Sequence, residues 1–428
     1  MDIDLSDLAE PLSHGYTPGS VRAALSYPKY RLIWTGMLLS NIGTWMQNVG
    51  LPAYIRARTG SAALVGVMVF AQLGPLLVLA IPGGVLAAKF SRRNLLIASN
   101  AAQLIGAIVL AYLVSRHAAF EALFFCNLGI GVASAIGMPA FQASVPLLVD
   151  RRDLPGVIAL NSVQINGSRV IGPVIAAALG LWGVTLAQIF LINAATYLFM
   201  IVATAITVFP AITQRVPEQG WRQLTTGLRI ARQRWMVGRL LVTMTTLSFF
   251  SLVFVGLFPA VVELNFKIAP LSAGYKWLYA IWGLGACLGA LGSGTVLARY
   301  DKRRLVRPGL VGLALSLAVF AVISSKALAY PAGFVLGVFY FLSATAMLTV
   351  FQQSLADYER AYVMPLWFMS FGGTVPLGNL VFGPIIDHLG ARPVLLFGAG
   401  VALVVAYWTN FVSDPRALDR SVTTATTL

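Results

Sequence analysis

The sequence predicts an all-α polytopic membrane protein with twelve transmembrane helices in two homologous six-helix bundles. Of its 428 residues, 58% are hydrophobic and only 11% are charged, whereas a soluble domain carries about 25% charged residues. Apolar runs of helical length follow one another along the chain, and about 20 apolar residues span a bilayer as a helix. Landmarks in the first half also recur in the second half at a nearly constant offset. Together these observations predict the fold class.

The apolar runs set the order of the elements. Long uninterrupted runs exclude a membrane barrel, whose strands are short and alternate in polarity. A backbone in lipid must form its hydrogen bonds internally, which favours helices, and so much apolar surface excludes a soluble enzyme. We predict twelve spans, at residues 31–54, 62–87, 95–114, 121–147, 157–180, 186–208, 239–262, 272–298, 307–324, 331–354, 361–386 and 393–412.

The basic residues are distributed unevenly between the two faces of the predicted bundle. Net charge is +15, from 30 Lys and Arg against 15 Asp and Glu. An even number of spans puts both termini on one face, and that face with its loops and rims holds 22 of the basic residues, against seven on the other. The positive-inside rule therefore places both termini in the cytoplasm. This explains the charge without nucleic acid, and we expect a multi-pass protein of the inner or plasma membrane.

One long connection divides the spans six and six. Its arginines interleave with apolar residues at helical spacing, which is typical of an amphipathic helix on a membrane surface. The acidic N-terminus lacks the positive start of a signal peptide and is interpreted as a retained tail. The predicted organisation is a cytoplasmic tail 1–26, a six-helix bundle 27–208, a cytoplasmic linker 209–238, a second bundle 239–412 and a cytoplasmic tail 413–428.

The two halves repeat. Three landmarks recur within one residue of a common register, which favours homologous six-helix halves with a binding site between them. The matched pairs are the runs Gly84–Arg93 and Gly294–Arg303 and the segments Phe141–Ser144 and Phe351–Ser354, all at offset 210, and Gly172-Pro173 with Gly383-Pro384 at offset 211.

At these residues the chain resembles the major facilitator superfamily. The runs that start at Gly84 and Gly294 resemble its loop motif between helices two and three and the echo between helices eight and nine. Within the superfamily the chain is most similar to the branch of transmembrane secretion effectors, which includes enterobactin-type siderophore exporters and macrolide efflux proteins. The segments that carry this resemblance are Ser40–Asn48, Thr59–Ser61, Leu160–Ser162 and Arg169–Pro173, and it covers about residues 27–408.

The chain departs from the family motifs in two places. The loop motif usually has Asp before Arg, but here the pair is Ala88-Lys89, and Ser91 replaces a Gly. The helix-five antiporter motif keeps Gly172-Pro173 but has Ala176 where Gly is usual, so small residues still permit close packing. The resemblance implies a gating role for the two loops, with candidate residues Gly84, Lys89, Arg92, Arg93, Gly294, Arg299 and Arg303.

Arg169 lies about twelve residues, roughly 18 Å, into span five. A central arginine in lipid costs at least ~2.5 kcal/mol, so it should face protein or a water-filled cavity. Ser162, Asn166 and Arg169 share one helical face. Arg169 is interpreted either as a contact for an anionic substrate or a gating charge, or as a structural arginine that donates to carbonyls opened near Gly172-Pro173.

Other polar and aromatic residues are candidates for a substrate cavity. Asn41, Trp45 and Asn48 lie in span one, and the family resemblance implies that helices one, four, seven and ten line the cavity. Amides in lipid need partners, so this face should point inward, although helix–helix packing would explain it as well. Aromatic and polar groups together suit a bulky amphipathic organic molecule. The remaining candidates are Gln72, Asn166, Arg169, Tyr279, Tyr340 and Trp367.

Proton coupling requires a titratable group, and no Asp or Glu lies at the centre of a predicted span. Glu121, Glu263 and Asp387 lie at the ends of spans opposite the termini and are the coupling candidates. Carboxylates in such positions are more often interfacial charges.

The sequence therefore predicts a secondary-active exporter rather than an enzyme. It has no phosphate-binding G-x-x-x-x-G-K-[ST] loop, no HExxH and no Cys/His cluster, so we expect no cofactor and no metal. The expected cargo is a bulky organic molecule, such as a siderophore, a natural product or a drug. We expect protons as the coupling ion, the lipid bilayer as the surroundings and a monomer. The alternatives are an importer, a lipid or lysolipid translocator and a non-transporting membrane partner.

Overall fold

The protein, described here by a computed structural model, is built from helices, as the sequence predicts. The structure describes residues 15–209, 221–297, 299–409 and 411, and no strand occurs within these ranges. Residues 1–14 of the predicted N-terminal tail 1–26, the whole predicted C-terminal tail 413–428 with residue 412, and linker residues 210–220 lie outside the described residues. So do a few helical side chains, including those of Lys89 and Asn166.

The helices follow the twelve predicted spans closely. Two π-helical turns, Leu247–Ser251 and Met369–Gly373, interrupt spans seven and eleven, both in the second half. The helices are α1 (Val21–Ser26), α2 (Pro28–Thr59), α3 (Ala62–Lys89), α4 (Arg92–Ser115), α5 (Phe120–Ser144), α6 (Leu154–Leu181), α7 (Leu186–Ile206), α8 (Trp221–Gln233), α9 (Trp235–Thr246), α10 (Val253–Gly256), α11 (Phe258–Phe266), α12 (Ala273–Gly294), α13 (Lys302–Val322), α14 (Lys326–Gln353), α15 (Asp357–Phe368), α16 (Thr374–Leu389) and α17 (Ala391–Trp408).

Nine stretches of the described helices are long and apolar enough to cross a membrane. The three other predicted spans correspond to α2, α6 and the series α9–α11. Helices α2 and α6 carry the amides and the arginine noted above, and the third span is divided into short pieces. Polar groups in a membrane are costly and mark functional sites. We therefore expect these three spans to position the functional site.

The helix ends define two faces of the bundle. The linker face is where α2 begins and α3 ends, and α8 lies on this side. The far face carries the turn at Gly60 between α2 and α3. Gly60 ends α2 at φ 65°, which glycine adopts without a steric penalty.

Ser91 and Asp301 cap corresponding helices of the two halves. Ser91 accepts the Asn94 backbone N–H at the start of α4, and Asp301 accepts the Arg303 N–H, at 2.9 Å, at the start of α13. Serine and aspartate are both strong N-cap residues. A capping role therefore explains why Ser91 can replace the glycine of the family loop motif.

The halves pack together through two corresponding helix pairs, α3 with α16 and α6 with α12. A Cβ atom on Gly383 would lie 2.8 Å from the Ala63 Cα atom, and one on Gly66 would lie 2.5 Å from the Asn379 carbonyl oxygen. In the other pair, a Cβ atom on Gly283 would lie 3.1 Å from the Arg169 carbonyl oxygen. Glycine thus allows these helices to approach closely between the middle of the bundle and the far face.

Both interfaces open toward the linker face. Gly84 lies 18 residues after Gly66 on α3, which is five turns at 3.6 residues per turn and therefore the same face of the helix. Among the described residues, a Cβ atom on Gly84 would nevertheless meet nothing within 4 Å, and the same holds for Gly294 at the end of α12. The halves are therefore closed at the far face and separated at the linker face.

Helix α8 packs against α15 of the second half. A Cβ atom on Gly227 would collide with the Tyr362 carbonyl oxygen, and Ala231 is buried. Beyond the end of α8, Arg234 pairs with the buried Glu359 at 3.0 Å. The predicted contact of this segment with a membrane surface remains a prediction.

Candidate transport site

Arg169 lies in the middle of α6, where the two halves meet. Its guanidinium carbon is 4.8 Å from the ring centroid of Trp45 on α2 and 4.2 Å from that of Phe341 on α14. Both distances are within the range of cation–π attraction. The one charged side chain predicted inside a span is thus held between aromatic rings from both halves.

Gly172 and Pro173 position Arg169. A Cβ atom on Gly172 would lie 2.7 Å from the Trp45 Cβ atom, so glycine permits α2 and α6 to approach. Pro173 has no N–H group and cannot donate to the carbonyl four residues earlier, which is that of Arg169. That carbonyl faces Gly283 of α12. Gly172 therefore allows the close contact between α2 and α6, and Pro173 leaves the Arg169 carbonyl without its helical donor.

The Arg169 side chain does not donate to carbonyls near the proline. Its Nε and Nη1 atoms are buried and have no hydrogen-bond partner among the described residues. The structural interpretation offered by the sequence required such bonds. The guanidinium instead keeps unused donors at the centre of the protein.

An aromatic cluster faces Arg169 from the second half. Tyr279 and Trp282 lie on α12 with centroids 5.1 Å apart, and Trp282 stacks on Tyr340 of α14 at 6.0 Å. Tyr340 lies beside Phe341, with ring centroids 4.5 Å apart, and the Phe341 ring contacts the Arg169 guanidinium. The structure therefore brings four sequence candidates together, namely Trp45, Arg169, Tyr279 and Tyr340.

The amides of span one have different environments. Asn48 accepts a hydrogen bond from Gln72 of α3, so these two candidates form a pair. Asn41 is half-buried on α2. Asn166 lies on α6, with its side chain outside the described part.

Two further polar pairs join α2 to α7 and were missed by the sequence analysis. Asn193 donates to Gln47 at 2.8 Å, and the hydroxyls of Thr44 and Tyr197 are 2.9 Å apart. Asn193 is fully buried. The signal that could have found it is an amide within an apolar run, which needs a partner in lipid.

Trp367 is not part of the Arg169 cluster. Its ring contacts Phe351 at 4.8 Å, and Phe351 lies ten residues beyond Phe341 on α14, about 15 Å along the helix. Asn379, a polar residue of the same predicted span, is fully buried on α16, and its two amide atoms have no partner among the described residues.

A second cluster, the far-face latch, consists of Arg56, Glu263 and Asp387. Arg56 Nε lies 2.5 Å from Glu263 Oε2, and Arg56 Nη1 lies 3.5 Å from Asp387 Oδ1. Arg56 is 7% exposed, Asp387 24% and Glu263 38%. The arginine belongs to the first half and both carboxylates to the second, so the latch joins the halves.

Asp387 also caps α3 across the interface between the halves. Its carboxylate accepts the backbone N–H groups of Ala62 at 2.6 Å and Ala63 at 2.9 Å, and the Ser61 hydroxyl at 2.7 Å. A helix N-terminus carries partial positive charge and unpaired N–H groups, so it favours an anion. One side chain of span eleven thereby holds the start of span two.

The sequence analysis proposed both carboxylates but overlooked Arg56. It treated Arg56 only as one of seven basic residues on the far face. Arg56 also donates to the Gly60 carbonyl oxygen, which holds its side chain at the turn. The third coupling candidate, Glu121, lies exposed in the first turn of α5 and is not part of the latch.

The predicted gating residues lie at the linker face. Arg93 donates to the Ala205 carbonyl oxygen within the first half, and the Arg299 guanidinium lies 5.6 Å from the Tyr300 ring centroid. Arg92 and Arg303 lie in the first turns of α4 and α13. The Lys89 side chain lies outside the described residues.

Tyr27 anchors the start of α2 at the linker face. Its hydroxyl donates to Asp153 at 2.8 Å and to Asp150 at 2.9 Å. Burial, together with these two carboxylates, raises the pKa of Tyr27 to about 12. The hydroxyl therefore stays protonated near neutral pH, and this contact holds α2 to the loop before α6.

The fold and the central site define a membrane transporter of the major facilitator class. A mutant nucleoside transporter has a similar fold, with a TM-score of 0.71 and 16% identity over 90% of this chain and 98% of that one. A bacterial homologue of the human lysosomal transporter Spinster has a TM-score of 0.68 and 13% identity, over 90% of this chain and 96% of that one. The Escherichia coli fucose:proton symporter, in mutant form, has a TM-score of 0.60 and 15% identity, over 89% and 98%.

The chain belongs to the transmembrane secretion effector family, whose model matches residues 19–425. This confirms the resemblance seen in the sequence. The enterobactin exporter of Escherichia coli O1:K1 is 27% identical over 300 residues, which are 70% of each chain. The enterobactin exporter of Shigella boydii serotype 4 is 27% identical over 299 residues, 70% of this chain and 69% of that one.

Proposed function

We propose that the protein exports a bulky organic small molecule by alternating access, as a secondary-active transporter. One observation carries the proposal: the latch joins the halves at the far face, while Gly84 and Gly294 face open space at the linker face. The Arg169 cluster lies between the halves. A site between two repeats that is accessible from one face at a time is the arrangement that a rocking transporter needs.

The direction of transport depends on orientation. The excess of basic residues on the linker face supports a cytoplasmic position for that face in the inner membrane, with both termini cytoplasmic. A protein open on that side is ready to receive cargo from the cytoplasm. The family description and the relatives named as enterobactin exporters also support export.

The close contacts suggest how the cycle proceeds. Cargo bound at the Arg169 cluster would contact both halves and favour closure of the linker face. Gly84 and Gly294 would then approach the opposite half. Each lies on the helix face that, nearer the far face, already packs against the opposite half. The far-face latch would break and release the cargo outside.

Proton antiport is the coupling that we propose. Glu263 and Asp387 owe their attraction for Arg56 to their negative charge. Protonation of either carboxylate from outside would remove that attraction and favour opening of the far face.

Paired metabolite profiling of cells and medium tests export. The strains compared carry a deletion of the gene, the overexpressed wild type, or the overexpressed Arg56→Met variant. We expect a compound that is retained in deleted cells and missing from their medium. The reverse pattern would identify an importer, a change confined to lipids a lipid translocator, and no change a non-transporting partner.

Inside-out membrane vesicles test the coupling once the compound is known. We expect uptake that depends on an acidic vesicle interior and ends when a protonophore collapses the gradient. Uptake that survives the protonophore unchanged would exclude proton antiport. The Arg58→Met variant is the matched control for Arg56→Met. Arg58 donates to the His117 and Ala118 carbonyl oxygens, so its contacts lie within the first half.

A further inference from the structure

The centre of the protein contains hydrogen-bond donors without acceptors. We call Arg169, Tyr279, Trp282 and Tyr340 the donor cluster. Nε and Nη1 of Arg169 and Nε1 of Trp282 are buried and have no partner among the described residues. The Tyr279 and Tyr340 hydroxyls also form no hydrogen bond within the described part of the chain, and both residues are 4% exposed.

Buried polar groups are almost always paired, so an unpaired group requires an explanation. Here several unpaired donors adjoin one another. The aromatic contacts link Trp282 to both tyrosines. Tyr340 also lies against Phe341, with ring centroids 4.5 Å apart, and the Phe341 ring contacts the Arg169 guanidinium. What the cluster lacks is an acceptor.

The aromatic rings beside Arg169 do not supply that acceptor. Trp45 and Phe341 attract the cation through their faces, but cation–π contacts leave N–H groups available. The described carboxylates lie at helix ends or in connections near one face or the other, and none of them forms an ion pair with Arg169. The positive charge of Arg169 is therefore not neutralised by any described carboxylate.

We infer that the donor cluster binds an oxyanion of the cargo, so the transported molecule is an organic anion. Oxygen atoms of a carboxylate, phosphate or phenolate would pair with Arg169 and the tyrosines by charge-assisted hydrogen bonds. The surrounding rings would contact an aromatic or other apolar body. That this anion is a cargo rests on the proposed export function, whereas its binding does not. A cationic molecule would be repelled by the positive charge of Arg169.

Binding of an acid and its neutral amide tests the inference. The probes are naphthoate and naphthamide, which share a ring system, and the protein is the full chain in lipid nanodiscs. We expect naphthoate to bind about tenfold or more tightly than naphthamide. In Arg169→Gln, naphthoate affinity should fall to that of naphthamide, while naphthamide affinity should stay unchanged.

Arg239 provides a matched control. Its guanidinium also lies between two rings, 4.9 Å from Trp235 and 4.3 Å from Trp408, but these three residues are near the linker face and donate no group to the cluster. Arg239→Gln should keep the preference for naphthoate. If Arg169→Gln fails to fold, Tyr279→Phe and Tyr340→Phe remove only hydroxyls and should each weaken naphthoate binding several-fold.

Equal affinity for the two probes would overturn the inference, and so would the absence of naphthoate binding at millimolar concentration. An unchanged preference in Arg169→Gln, or an equal loss in Arg239→Gln, would overturn it as well. The export proposal and the anion proposal can fail independently of each other. Arg169-dependent naphthoate binding without any exported metabolite would preserve the anion site and remove the export proposal. An exported compound that is neutral or cationic would preserve export and remove the anion proposal.

Discussion

Arg56 and Asp387 meet across the two halves of the chain although 331 residues separate them. The arginine Nη1 atom lies 3.5 Å from the aspartate Oδ1 atom. The same carboxylate accepts the first two N–H groups of α3. Asp387 therefore connects span eleven to spans one and two, and the closed far face depends on one carboxylate with several partners.

Loss of Arg56 should loosen the far face. Arg56→Met removes the charge that pairs with both carboxylates, and we expect a cost on the order of 1 kcal/mol after allowance for solvent screening at Glu263. The N–H groups of Ala62 and Ala63 should then exchange with solvent about fivefold faster. Hydrogen–deuterium exchange with mass spectrometry measures this. Arg58→Met should not change exchange there, and an equal effect of the two variants would contradict a specific latch.

The two latch carboxylates should differ in importance. Asp387→Ala removes the helix cap as well as the ion pair, and loss of an N-cap side chain costs about 0.5–2 kcal/mol. Glu263 is 38% exposed, and an exposed pair contributes about 0–1 kcal/mol. Exchange at the start of α3 should therefore increase more in Asp387→Ala than in Glu263→Gln. The opposite order would show that the cap is unimportant.

A larger side chain at Gly84 or Gly294 should trap the protein with its linker face open. A side chain at either position has open space now but would obstruct closure of the linker face. Gly84→Leu and Gly294→Leu should fold normally and lose cargo flux, and labels introduced at the linker face should remain accessible. Gly400→Leu on α17 is the control, since a Cβ atom on Gly400 would also meet no described residue within 4 Å. Normal flux in the two variants would contradict the proposed closure.

The buried pair of Gln47 and Asn193 should stabilise the first half. Each single change to Leu leaves a buried amide without its 2.8 Å partner. Hydrogen bonds between membrane helices contribute about 0.6 kcal/mol on average and at most about 1.7 kcal/mol. Thermal unfolding of Gln47→Leu, Asn193→Leu and the double variant should give a coupling energy in that range, with flux retained. Additive effects would show that the pair contributes nothing specific.

Periodicity and composition predicted the helices well because lipid imposes a strict rule. Each backbone polar group must be paired internally, so long apolar runs become helices whose ends the charged residues mark. Helices α3 and α12, for example, begin at or within a residue of their predicted spans. The breaks at Leu247–Ser251 and Met369–Gly373 were not predicted, because a π-helical turn depends on local packing that hydropathy does not report.

The candidate site was predicted in part. Arg169 and Trp45 attracted notice because charge and polarity are costly inside a span, whatever the partner. Arg56 and Asn193 did not attract notice, because each is important through a partner that lies far away in the sequence. Arg56 pairs with Asp387, and Asn193 pairs with Gln47. Trp367 had the right residue type, but its position along the bundle was not visible in the sequence.

The sequence by itself determined that the chain is a helical membrane protein of two repeated halves, because lipid penalises every unpaired polar group and the repeat remains in the residues. Only the tertiary structure decided which face is closed and what surrounds Arg169. Those properties depend on distances between side chains on different helices, such as Arg56 to Asp387 and Arg169 to Phe341.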